Sequence, residues 1–286
     1  PLPGRRDSSS LVNASENSCL RKSLMTDSTA TVNRRVWRAG EQTRDSDNVV
    51  VEVPVALVYN GLSHVVMMAT PVNLEDLALG FSLSEGILSD AGQLLGVEVL
   101  HREQGIEVVM EVTGEPFAAL KRRRRFLTGR SGCGLCGVES LQQAVPVPNR
   151  VTADISVEHD ALQQALQGLA QVQQLKHLTG GVHAAAWCSE EGEILLLRED
   201  VGRHNALDKL LGALARQDRQ PGFVLLTSRI GYEMVAKAAA CNIPLVAAVS
   251  APTSLAVEQA VSAGITLVGF VQPGRQVVYC GEQRIR

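Results

Sequence analysis

The last third of the chain constrains the fold most. Residues 223–228 (FVLLTS), 244–250 (PLVAAVS) and 266–271 (TLVGFV) are short apolar runs without polar alternation, as strands buried on both faces should be. Between them lie GYEMVAKAAACN (231–242) and TSLAVEQAVSAG (253–264), helical in period and composition. This alternation predicts right-handed crossovers and a largely parallel sheet covered by helices, hence an α/β class. In such sheets ligands gather beyond the carboxyl ends of the strands. Here those ends are Thr227, Ser228 and Arg229, then Ser250 to Ser254, then Gln272, Pro273, Gly274 and Arg275. Hydroxyls, a helix N-terminus near Thr253 and two arginines are what a phosphate needs. Each loop alone reads equally as a cap or a turn. Three converging on one edge point to an anionic or nucleotide-like ligand. With no Gly-x-Gly-x-x-Gly and no Gly-Lys-Ser/Thr loop, neither a dinucleotide fold nor an ATPase is indicated.

Upstream, residues 159–175 form an amphipathic pattern through Leu162, Leu166, Leu169 and Val172. TGGVHAAAW and its sequel predict a strand, a turn at Glu190-Glu191-Gly192, a second strand and a helix from about Asn205. The first half predicts a smaller α+β unit. Its strands lie in 49–61, interrupted at Pro54, and in 64–70, joined through Asn60-Gly61, with two more on either side of residues 103–105. A helix capped by Asn73 carries Leu77 and Phe81 on one face and ends by Gly86. A second, over 116–129, spaces Phe117, Leu120 and Leu127 helically and stops at Gly129. Residues 1–46 have the Ser, Asn, Asp, Thr and Arg content of a disordered tail. The expected organisation is therefore a tail (1–46), an α+β domain (47–129), a mobile loop (130–138) and a second domain (139–286).

At 286 residues and 45% apolar content, two cores are affordable. A net charge of −3 and only 3% aromatic residues argue against a nucleic-acid partner. No run nears the ~18 apolar residues of a membrane span, and the first residues lack a secretory pattern, so a soluble cytoplasmic protein is expected. Six scattered cysteines fit reduced thiols rather than a disulfide framework.

Two of those cysteines stand apart. KRRRRFLTGRSGCGLCGVES (121–140) places Cys133 and Cys136 in a glycine-rich loop behind a basic run. A structural zinc site needs four ligands, and no second pair exists. A zinc deaminase needs His-x-Glu and Pro-Cys-x-x-Cys, and both are missing. A resident metal is therefore not expected. A dithiol switch and a sulfur carrier remain, the flexible loop suiting a carrier better. Lys121 to Arg125 and Arg130 read either as a solvated helix face or as cations that lower a thiol pKa and attract an acidic partner. Helix placement after the loop favours Cys136 as the more acidic thiol. The second polar cluster, EDVGRHNALDK (199–209), brings Arg203 and His204 between a strand and a helix, as a ligand site or as a capped helix with an ion pair. His183 reads as a hydrogen-bonded core histidine, although the glycines before it permit close approach of a ligand.

GRSGCGLCGVE, TGGVHAAAW, EDVGRHNALDKLLG, SRIGYEMVAKAA and TLVGFVQPGR, in that order, resemble the formate dehydrogenase accessory sulfurtransferase family, FdhD. VEVPVALVYNGLSHVVMMAT and LALGFSLSEGI match its N-terminal part, so the likeness spans about residues 48 to 282. The resemblance implies a homodimer that accepts persulfide sulfur from a cysteine desulfurase. It passes that sulfur to the molybdenum bis(molybdopterin guanine dinucleotide) cofactor, held as substrate before insertion into the formate dehydrogenase catalytic subunit. It implies Cys133 as the persulfide carrier with Cys136 assisting, and a guanine-nucleotide site at Phe270, Val271, Gln272, Pro273, Gly274 and Arg275. It also implies a cytidine-deaminase-like, three-layer second domain without zinc, its sheet mixed and largely parallel. Gln272 departs from the basic residue expected there, which leaves Arg275 as the phosphate contact. Ser228, Arg229, Ser250, His183, Arg203 and His204 complete the expected cofactor-binding set. A cofactor chaperone without sulfur chemistry and a thiol-disulfide oxidoreductase are the alternatives.

Overall fold

The computed structural model describes residues 27–127 and 147–286, with the backbone alone over 122–127. Within the expected tail, β1 (Thr29–Arg38) and β2 (Glu41–Val50) pair in full antiparallel register as a two-stranded ribbon. This corrects the expectation of disorder up to residue 46. Ala39 and Gly40, both at positive φ (49° and 89°), form the tight turn that such a hairpin needs. Arg34 binds Asp45 and Asp47 across the strands. One face mixes Val32 and Val36 with Arg34, Asp45 and Asp47 and the other is polar apart from Trp37, so neither leaves a clear hydrophobic period.

β3 (Val53–Tyr59) and β4 (Leu62–Ala69) follow, joined by Asn60-Gly61 at φ 46° and 80°. Pro54 does not interrupt β3. It stands one residue ahead of the ladder with β6 (Gly105–Val112), where a missing N–H is tolerated. With β5 (Leu94–Arg102) the sheet order is β4-β3-β6-β5, antiparallel except for β3 against β6. Its inner face, including Val55, Leu57, Tyr59, Val108 and Met110, packs on Leu77 of α1 (Leu74–Ser84) and Leu120 of α2 (Gly114–Leu127). Asn73 occupies the N-cap of α1 in a left-handed conformation, but its side chain caps nothing. The Gly129 stop lies outside the described residues.

The second half holds α3 (His159–Val172), α4 (Gln174–Thr179), β7 (His183–Ser189), β8 (Ile194–Asp200) and α5 (Arg203–Leu214). Then come β9 (Gly222–Leu226), α6 (Tyr232–Ala240), β10 (Leu245–Ala248), α7 (Ser254–Ala263), β11 (Thr266–Gln272) and β12 (Arg275–Cys280). One six-stranded sheet, β12-β11-β10-β9-β7-β8, lies between α5, α6 and α7 on one face and α3 on the other. The sheet is mixed, as expected, but it is not largely parallel. Only β9–β10 and β10–β11 run parallel. β7–β8 and β11–β12 are joined by short turns and must be antiparallel, and β7 also runs against β9. Continuous apolar runs report burial on both faces, not strand direction.

The two halves meet where α1 crosses α5. A Cβ on Gly80 would lie 1.7 Å from the Asp208 carbonyl oxygen, and one on Gly212 would lie 2.0 Å from that of Asp76. Only glycines allow backbones this close.

Candidate functional site

The carboxyl ends of β9, β10 and β11 share one edge because those strands are parallel, and β7, running the other way, begins there. Backbone hydrogen bonds knit the loops together. Ile230 N–H donates to the Ala251 carbonyl (3.2 Å), Thr253 N–H to that of Ile230 (3.0 Å) and Phe270 N–H to that of Ser250 (3.1 Å). The Ala184 amide donates to Thr227 Oγ1 (2.9 Å), which sets His183 beside the same edge. Thr253 caps α7 by accepting from Ala256 N–H. His183, Ser228, Arg229, Ser250 and Phe270 are thus brought to one edge.

Phe270 sits at φ 52°, a left-handed conformation that is costly for an aromatic residue. The Arg275 guanidinium stacks over its ring, 5.0 Å from the centroid. Gly269 permits the turn, since a Cβ there would come within 2.9 Å of Pro252 Cδ. Gln272, Pro273, Gly274 and Arg275 are exposed at the β11–β12 turn, and Gly274 N–H donates to Gln163 Oε1 of α3. Val271 differs. Its side chain is fully buried among Ala184, Leu245 and Val268, so alternation along β11 turns it into the core and away from any ligand. The Ser228 hydroxyl is buried too and donates to the Arg229 carbonyl (3.0 Å).

Arg203 and His204 open α5, whose N-cap Gly202 supplies no side-chain bond. The Arg203 Nε and His204 Nε2 atoms are buried without a partner among the described residues. Burial, followed by the Arg203 charge, holds both the His204 and His183 imidazoles below their usual range. Both are therefore neutral near pH 7 and available as hydrogen-bonding groups. Arginines with spare donors beside a helix N-terminus form a setting for an anion.

The rest of EDVGRHNALDK ties the two halves of the chain together. Asp200 and Lys209, both fully buried, pair at 2.6 Å. Asp200 also accepts from the Thr70 and Gly202 amides and from Asn205 Nδ2, while Lys209 donates to the Thr70 carbonyl. Glu199 caps α4 through the Leu175 and Lys176 amides. A second buried cluster joins Lys237 to Asp208 (3.0 Å), Glu85 (2.8 Å) and the Ser84 hydroxyl. Sequence reasoning missed Thr70, Ser84 and Lys237. Lys237 lies in an alanine-rich helix where only its apolar neighbours Met234, Ala240 and Cys241, at i−3, i+3 and i+4, hinted that it was buried.

Cys133 and Cys136 lie outside the described residues, as does most of the basic run's side-chain set. The three described cysteines are poor nucleophiles. Burial pushes the Cys188 and Cys241 thiols up to about 12 and raises that of Cys280. Among the described residues no cluster of His, Cys, Asp or Glu is placed to hold a metal, and no helix is long and apolar enough to cross a membrane.

A sequence model for the FdhD/NarQ family matches residues 50–286. The chain is 54% identical over 263 residues to a protein of Cupriavidus necator named sulfur carrier protein FdhD, covering 91% of each. It is 50% identical over 250 residues to one of the same name from Variovorax paradoxus, covering 87% of this chain and 90% of that one. A crystal structure from Desulfotalea psychrophila, described as a formate dehydrogenase accessory protein, superposes with a TM-score of 0.70 at 25% identity. That match covers 91% of this chain and all of the other.

Proposed function

The chain belongs to the FdhD/NarQ family, and from that premise we propose that it is a sulfur carrier serving a formate dehydrogenase through the enzyme's molybdenum cofactor. The observation that supports a nucleotide-bearing substrate best is the strand-end edge itself: a strained Phe270 stacked by Arg275, with Arg203 and His204 on the same edge each keeping a buried nitrogen unpaired among the described residues. Retention of an aromatic residue where glycine would be unstrained fits a functional demand on that side chain. Phe270 and Arg275 would take the guanine nucleotide of molybdenum bis(molybdopterin guanine dinucleotide). Arg203 and Arg229 would take its phosphates, and His183, His204 and the Ser250 loop would border it. In this reading residues 139–286 form a cytidine-deaminase-like domain whose strand ends hold a nucleotide, the protein works in the cytoplasm, and it works as a homodimer.

Sulfur arrives on Cys133. Its thiolate attacks the outer sulfur of a cysteine desulfurase persulfide. A new S–S bond forms as the donor's S–S bond breaks, and the donor cysteine leaves as a thiolate with no net oxidation. Cys136 assists, and the basic run favours the ionised thiol. Delivery to the cofactor, as substrate, would balance if the Cys136 thiolate attacks the Cys133 sulfur. The persulfide S–S bond breaks, the outer sulfur leaves at the sulfide level for the cofactor, and a Cys133–Cys136 disulfide forms, to be reduced by a cellular thiol before the next cycle. The sulfurated cofactor then goes to the formate dehydrogenase.

Intact mass after incubation with cysteine and a desulfurase is expected to rise by one sulfur atom, and to stay unchanged in Cys133→Ala/Cys136→Ala. Undiminished loading of that variant overturns the carrier role. Phe270→Ala/Arg275→Ala is expected to load sulfur normally but to bind guanosine diphosphate at least ~10-fold more weakly, the loss of one stacking or charged contact. A cofactor chaperone would instead support active formate dehydrogenase with both cysteines replaced.

A further inference from the structure

An isolated two-stranded hairpin is marginal in water, yet β1 and β2 pair over ten residues each with most of the ribbon exposed. Its base is anchored: Ala30 packs on the first core, and Val50 lies against Gly181. Beyond that base the two faces differ. The back carries Val32 and Val36 with every acid of the strands, Asp45 and Asp47 being bound to Arg34 and Glu41 standing opposite Arg38. The front sets Thr31, Asn33, Arg35 and Trp37 against Asn48, Ser46, Arg44 and Gln42 and holds no acid. Arg35 is directly opposite Arg44, and neither is ion-paired among the described residues. Like charges so placed weaken a ribbon that has little stability to spare. Trp37, two residues along the same face, is 71% exposed.

The arginine pair and the tryptophan make one recognition surface. Side chains two apart on a strand lie about 7 Å from each other on one face, the spacing that any extended peptide gives its own residues i and i+2. Guanidinium forks hold carboxylates through paired hydrogen bonds, and tryptophan and arginine dominate protein interfaces. A carboxylate set between Arg35 and Arg44 would turn their repulsion into attraction, and an apolar side chain two residues further would cover Trp37. Asn33, Ser46 and Gln42 border the three with amides and a hydroxyl that suit a peptide main chain. We propose that this face of the ribbon docks an extended acidic segment of a partner protein, in which an apolar residue follows a carboxylate by two positions.

The position of this face suits a dock. Val50 at its base touches Gly181, two residues ahead of His183 at the strand-end edge. Arg35 and Arg44 stand about 20 Å further up the ribbon, so a partner gripped there lies beside that edge without occupying it. A second copy of this chain is a poorer occupant. Its unpaired outer acids, Glu111 on β6 and Glu98 on β5, are two and three strands from the exposed apolar Val66 and Met68 of β4, about 10 and 14 Å against the 7 Å needed. Nucleic acid is poorer too, because the chain's net charge is −3, the ribbon's own acids line its back and the front offers a single stacking platform.

The test titrates the full-length protein into two dye-labelled synthetic peptides, a short Glu-Gly repeat and the same repeat with one internal glutamate replaced by phenylalanine, and follows their anisotropy. Trp37 emission, read with unlabelled peptide, locates the contact, since the other tryptophan, Trp187, is buried. The phenylalanine peptide is expected to shift that emission to shorter wavelength and to bind at least ~5-fold tighter than the plain repeat, a gain that Trp37→Ala erases. Arg35→Gln/Arg44→Gln is expected to weaken both peptides by ~10-fold or more. Its urea midpoint should be no lower than that of wild type, because the repulsion is gone, which separates lost docking from lost folding. The proposal is overturned by a wild type that binds neither peptide, by a double variant that binds as well as wild type or unfolds at lower urea, or by a phenylalanine gain that survives Trp37→Ala. An oligothymidylate that binds as tightly as the phenylalanine peptide overturns it as well.

Discussion

At the scale of single residues, burial decides what each titratable group does. His183 and His204 sit below their ordinary value of 6.5 because burial and Arg203 disfavour their cations. In the unfolded chain the same imidazoles accept protons from pH 6.5 downward, so acid favours unfolding. The stability they contribute is complete above that value and is lost as the pH falls through the window below it. Urea midpoints measured from pH 7.5 to 5 should therefore decline, and His183→Gln/His204→Gln should flatten the decline. An unchanged slope in the double variant would show that other groups carry it.

At the scale of elements, legibility in the sequence followed the hydrophobic period. β9, β10, β11 and the helices between them were readable from unbroken apolar runs, and the Asn60-Gly61 hairpin from its turn residues. The ribbon was not, since no face of it is apolar enough to leave a pattern. Nor was the direction of β7, which depends on partners distant in sequence. Along β11 the gathering of Phe270 and Arg275 was readable, but alternation sends the intervening Val271 inward. The α1–α5 crossing was equally silent: Gly80 and Gly212 look like ordinary helix-weakening glycines until their backbones touch. Gly80→Ala is expected to cost about 3 kcal/mol or more, the upper end for overpacking, because the new methyl meets backbone that cannot rotate aside. Chemical denaturation against wild type checks this, and a cost below that of an exposed Gly→Ala change would refute the close approach.

At the scale of the whole molecule, the Asp200–Lys209 pair through Thr70, the Lys237 cluster, the Arg198–Asp76 pair and one helix crossing join the four-stranded and six-stranded sheets. Lys209→Met leaves Asp200 charged and buried with neutral donors only, for an expected loss of about 3–5 kcal/mol. Because Thr70 on one side and Asp200 on the other lose the same partner, both halves should weaken together. Far-UV circular dichroism and the emission of the buried Trp187 should then report one coincident transition in wild type and variant alike. Two separated transitions would show that the halves are independent.

The Thr70 contacts also bear on the order of synthesis. The amide and carbonyl of Thr70 find their partners in Asp200 and Lys209, 130 and 139 residues later in the chain. The sheet itself is complete only once β6 ends at Val112, and at the usual elongation rates the remaining stretch to Lys209 is still on the order of 10 s during which its β4 edge is not sealed. The nascent first half must wait, with a polar seam open, for a helix not yet made.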